Sequence, residues 1–121
     1  MDEPNSYFDL FREDDSRVAH EKGEFIFKAG DPGHHMFVVA KGSVEVRVGD
    51  EVKERVEQGG VFGELALIDH DPRSADAIAA TDCEVVPIDS ARFQSCLVRM
   101  PFFGIEVMRV MAQRLRRETE V

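Results

Sequence analysis

With 121 residues, 43% hydrophobic and 32% charged, the chain can fill one hydrophobic core but not two, so a single domain over 1–121 is expected. No apolar run approaches the roughly 20 residues of a membrane span, and the acidic start lacks a signal peptide's pattern, which points to the cytoplasm. A net charge of −9 argues against nonspecific nucleic-acid binding, which depends on Lys and Arg neutralising phosphates.

Along the chain, residues 5–13 read as a short helix with Phe8 and Phe11 on one side, ended by the charged run Arg12-Glu13-Asp14-Asp15. Residues 17–89 are short apolar or alternating runs broken by Gly23, Gly30, Gly33, Gly42, Gly49 and Gly59-Gly60, the rhythm of a β-sandwich or jelly roll. Ser43 to Val48 alternates with Val44, Val46 and Val48 expected inward. Asp76–Ala80 and Cys83–Ile88 supply the last strands, with Pro87 suggesting an edge. Helical spacing takes over in 90–118. Asp89 or Ser90 can cap a helix to about Arg99 with Phe93, Cys96 and Leu97 inward. Pro101 then opens a second helix to about Arg117, with a narrow polar stripe of Glu106, Arg109, Gln113 and Arg116 or Arg117. Its remaining positions are apolar or small except Arg114, more than one packing face needs, so one face is expected to serve another contact.

Chemistry concentrates in residues 62–75, Phe62-Gly63-Glu64-Leu65-Ala66-Leu67-Ile68-Asp69-His70-Asp71-Pro72-Arg73-Ser74-Ala75. Gly63 lets a ligand approach the backbone, since it has no Cβ. One helical turn from Glu64 leaves the amides of Leu65 and Ala66 without intrahelical partners, and such amides attract an anion. Pro72 biases Asp71 to an extended backbone, so Arg73 should emerge at the start of a strand and fork onto two phosphate oxygens. Glu64 would be repelled by that anion unless it had a separate task, such as accepting a hydrogen bond from a sugar hydroxyl. The pattern is that of a nucleotide site.

These residues resemble the phosphate-binding cassette of the cyclic nucleotide-binding domain family, which includes the catabolite activator protein, kinase regulatory subunits and gated channels. The resemblance runs from about Val18 to Leu115 and includes the hairpins Gly23–Asp31 and Met36–Val46. It implies a mainly β fold with flanking α-helices: a β-jelly roll (double-stranded β-helix) with a short N-terminal helix and two C-terminal helices. It also implies a non-enzymatic receptor whose ligand is cAMP, with cGMP as the alternative, and no further cofactor. Glu64 would take the ribose 2′-hydroxyl. Leu65, Ala66 and Arg73 would take the cyclic phosphate, with Gly63, Ser74 and Ala75 beside it. Arg116 and Arg117 resemble a paired arginine of the bacterial regulators and are candidate base contacts. Ligand binding would shift the packing of Phe62, Leu65 and Leu67 against the C-terminal helices. The partner would be another protein, or a second copy through the last helix. The bacterial regulators carry a helix-turn-helix after that helix; this sequence has none, so DNA binding by this chain is not expected.

Two other readings compete. The fold could be a ligand-free interaction module with a degenerate pocket, or the sensor portion of a larger transcription regulator. Metal chemistry fails on spacing, because His34 and His35 are adjacent where a metal barrel needs two histidines on one face. Cys83 and Cys96 have neither metal nor redox spacing and are expected to be buried thiols.

Overall fold

In the computed structural model, which describes residues 7–119, two four-stranded antiparallel sheets face each other and the helices cover one of them. A turn of 3-10 helix, Tyr7–Phe11, precedes eight strands: β1 (Val18–His20), β2 (Phe25–Phe27), β3 (His35–Lys41), β4 (Val44–Val48), β5 (Glu51–Val56), β6 (Val61–Phe62), β7 (Asp76–Ala79) and β8 (Cys83–Asp89). Helix α1 (Leu65–Asp69) lies between β6 and β7, and α2 (Ser90–Arg99) and α3 (Pro101–Thr119) close the described chain. The sheets run β1-β8-β3-β6 and β2-β7-β4-β5. This is the expected jelly roll. Of the expected 5–13 helix, the part before Tyr7 lies outside the described residues.

The first sheet is covered on both faces, which explains its near-continuous apolar strands. On β3, Met36, Val38 and Ala40 join Phe103 and Val107 of α3 in one cluster, while Val39 and Phe37 face the interior of the roll. On β8, Val86 and Ile88 meet the helices and Cys83 and Val85 face inward. Both cysteines are buried, free and held above the usual thiol range by desolvation. The second sheet is covered on one side only, so β4 alternates. Val44 is buried and Val46 half-buried, but Val48 is 49% exposed. Val48 keeps to the same face as Val46 but is left uncovered, so the expectation of three inward valines holds for their direction and is corrected for burial. Pro87 is not on an edge strand either, since β8 lies between β1 and β3. It is tolerated because β1 pairs β8 only over Cys83–Val85, leaving one neighbour at Pro87.

Asp89 caps α2 by accepting the Arg92 amide at 2.8 Å. Phe93 and Cys96 pack inward, whereas Leu97 is 38% exposed and lies against Gly104, where α3 crosses. The α3 core face is Phe103 and Val107; Ile105, Met108 and Leu115 point outward. Phe8 and Phe11 set their rings against Phe103 at 5.6 and 5.9 Å. Arg92 joins Asp14, whose carboxyl its hydrogen bond holds well below the usual range, and so ties the N-terminal turn to α2.

Candidate functional site

Gly63 ends β6 with φ +75°, a left-handed conformation open to glycine at little cost. A Cβ there would stand 2.7 Å from Arg73 Nη1, so the position also serves close approach. Glu64 follows as the residue before α1, yet its side chain does not cap the helix. The carboxylate turns instead toward Arg114 of α3, with Oε1 accepting from Nη1. The first amides of α1 are thereby left unclaimed by the side chain that usually takes them. α1 stops at His70, which is left-handed at φ +60°.

Arg73 sits three residues before β7 rather than at its first residue. Its backbone is fixed by Gly30 and Asp31, through bonds of 2.8 Å each way. The residue is 8% exposed. Nη1 donates to the Gly63 carbonyl at 2.9 Å and Nη2 to that of His35 at 2.6 Å. The guanidinium lies 4.0 Å from the centroid of the Phe27 ring, and its buried Nε has no hydrogen-bond partner. Gly33 closes over it: a Cβ there would meet Ala66 at 2.3 Å and Arg73 Nε at 3.1 Å. Desolvation lowers the arginine's pKa, partly offset by Glu64 and Asp31, and a guanidinium stays cationic at neutral pH. A buried cation held by carbonyls and a ring, with a donor to spare, suits an anion.

These groups share the wall of one cavity of about 720 Å³. Gly63, Glu64, Leu65, Ala66, Arg73, Ser74 and Ala75 all line it, so the structure brings the cassette residues together. Arg117 lines it too, but Arg116 is not on the wall. The helical repeat explains this: Arg114 and Arg117 are three apart and share a face, and Arg116 does not. Phe62 and Leu65 depart from expectation as well. Phe62 stacks on Phe37 at 5.1 Å inside the roll, Leu65 is 51% exposed, and only Leu67 packs into the cluster under the helices.

Sequence reasoning missed the rest of the wall, including Phe27, Val46, Val48, Lys53, Glu54 and Arg114. Arg114 is its organiser. Nε and Nη2 fork onto Glu54 of β5 at 2.9 and 2.8 Å, Nη2 also reaches the Val61 carbonyl at 2.6 Å, and Nη1 holds Glu64. Arg117 adds a bond to Glu54 at 2.7 Å. Burial opposes ionisation of both Arg114 and Glu54. Their mutual bonds outweigh it, raising the arginine's pKa and lowering the carboxyl's. The one available signal was that Arg114 interrupts an otherwise apolar helix face. Of the ionisable residues on the wall, Lys53, Arg73, Arg114 and Arg117 balance Glu54, Glu64, Asp69 and Asp71, so the lining is neutral in a chain of −9. Among the described residues no His, Cys, Asp and Glu group of three or more could hold a metal.

Residues 17–100 match the family model described as "Cyclic nucleotide-binding domain". The chain belongs to that family. This cyclic nucleotide-binding domain is 37% identical over 81 residues to a cAMP-dependent protein kinase regulatory subunit of Eremothecium gossypii, covering 67% of this chain and 18% of that protein. It is 34% identical over 80 residues to human cGMP-dependent protein kinase 2, covering 66% of this chain and 10% of the kinase. Its fold superimposes on the Thermus thermophilus catabolite activator protein with a TM-score of 0.75 and 29% identity, over 84% of this chain and 50% of that one. The domain thus spans less than a fifth of the length of both kinase relatives. No helix among the described residues is long and apolar enough to cross a membrane.

Proposed function

We propose that this domain is a non-enzymatic receptor for a cyclic nucleotide, cAMP first and cGMP second, that signals through its C-terminal helices to a protein partner or a second copy. The observation that carries the reading is Arg73: a buried cation with no carboxylate in hydrogen-bond contact, beside the α1 amides and Glu64 in one cavity. The phosphate would lie against Arg73 and the amides of Leu65 and Ala66, with Ser74 and Ala75 at its edge. Glu64 would accept from the ribose 2′-hydroxyl. The base would extend along Val46 and Val48 toward Arg117. Because Arg114 and Arg117 of α3 share the wall with the cassette, a ligand there touches groups whose position depends on α3, and that coupling is reciprocal. Kinase relatives named for cAMP and for cGMP set the order in which the two ligands are tried. Calorimetric titration with cAMP, cGMP and AMP tests the reading. Saturable binding of a cyclic nucleotide supports it. No heat and no thermal shift at millimolar ligand would favour the ligand-free interaction module instead.

A further inference from the structure

Resting on the reading of the C-terminal helices as the signalling surface, we propose that the outward face of α3 docks an acidic amphipathic helix of another protein rather than a second copy of this chain. Ile105, Met108, Ala112 and Leu115 recur at intervals of three, four and three residues, the seam spacing by which one helix packs along another. All four are exposed, Met108 at 61% and Leu115 at 63%, while Phe103 and Val107 hold the other side of the helix in the core. The fold has thus already covered the face it needs, and a continuous apolar stripe left over marks a contact surface. The charges beside the seam select its occupant. Arg109 and Arg116, both exposed, follow it along one side, and Gly104 and Met111 follow it along the other. Flanking charges of this kind set partner and orientation in paired helices. A second copy lying parallel would set those arginines against Gly104 and Met111, and one lying antiparallel would set arginine against arginine. Neither supplies a carboxylate. Nor does α2, whose charged residues are Arg92 and Arg99, and α1 is only five residues long. A helix with apolar residues at the same spacing and Glu or Asp beside them meets both demands. The chain's net charge of −9 opposes such a partner only at long range, and physiological salt screens exposed charges beyond about 8 Å.

The experiment uses the full chain and two labelled three-heptad peptides with leucine along the seam, one carrying glutamate and one lysine at the flanking positions. Sedimentation should find the chain monomeric. Fluorescence anisotropy, with no nucleotide present, should show saturable binding of the glutamate peptide, at least about fivefold tighter than the lysine peptide, as two exposed charge contacts allow. Met108→Lys, which puts a charge into the seam, should weaken that binding by about tenfold or more. The double variant Arg109→Glu, Arg116→Glu should reverse the preference between the peptides. All three positions are exposed, and a cooperative melt of each variant establishes that it folds. A wild-type dimer that Met108→Lys disperses would make the occupant a second copy. Equal binding of both peptides would remove the charge selection, and binding of phosphatidylserine vesicles in place of peptide would make the face a membrane surface. Each of these overturns the proposal, as does a monomer that binds neither peptide. Such a failure leaves the receptor reading to the calorimetry with cyclic nucleotides, and a chain that binds the glutamate peptide but no nucleotide would lose only the receptor reading.

Discussion

Two arginines of the cavity wall, Arg73 buried and Arg114 half-buried, are built in opposite ways. Arg114 lies between two carboxylates that neutralise it, and its bonds organise α3 against β5 and the cassette. Arg73 has two carbonyls and the Phe27 ring for company, which solvate a cation without cancelling its charge. A saturated ion-pair network serves to position; a buried cation without a bonded counter-ion is poised to receive one. The same residue type therefore has two roles, and the contrast can be broken experimentally at either end.

The largest effect is expected at the cassette end. Arg73→Ala removes charge-assisted bonds worth roughly 1.5–3 kcal/mol, so cAMP affinity should fall by about ten- to a hundredfold or more. Calorimetry on a variant that still melts cooperatively checks this; unchanged affinity would place the anion elsewhere. Gly63→Ala comes next. It forces a Cβ at φ +75° and sets it 2.7 Å from Arg73 Nη1, so a stability loss of about 1–3 kcal/mol and roughly tenfold weaker binding are expected together. A variant that loses neither would mean the turn relaxes without disturbing the arginine. Glu64→Gln is milder, costing about tenfold for cAMP and little for its 2′-deoxy analogue.

The contrast between the two arginines also explains what the sequence made legible. Arg73 was readable because its recognition is local: glycine, turn, proline and arginine lie within one stretch of residues 62–75. The jelly roll followed from turn rhythm together with family resemblance; the strand order within each sheet did not. Arg114 was unreadable as a site residue because its partners, Glu54 and Glu64, are 60 and 50 residues away and meet it only in the folded roll. Arg116 and Arg117 looked equivalent as a pair, and only the rotation of α3 separates them. Gly33 read as one more turn glycine, although its task is to lie against Ala66 and the Arg73 side chain. Val48 and Leu97 misled for a common reason: periodicity identifies a face but does not say where the covering element ends.

The smallest effect separates the two ends by their response to acid. Glu54 is held below its ordinary value of 4.5 by Arg114 and Arg117, against the opposing desolvation. A carboxyl whose folded value is depressed contributes stability above its unfolded value and loses it as pH falls through the folded one. Wild type should therefore exceed E54Q in stability at pH 7, by no more than about 1 kcal/mol for a partly exposed network. That margin should shrink as the pH drops below 4.5. The carbonyl contacts of Arg73 do not titrate, so the cost of Arg73→Lys should stay flat over the same interval. Urea melts of the three proteins at pH 7 and at about pH 3.5 make the comparison. An E54Q margin independent of pH would mean that the ionised Glu54 carboxylate is not what the margin rests on.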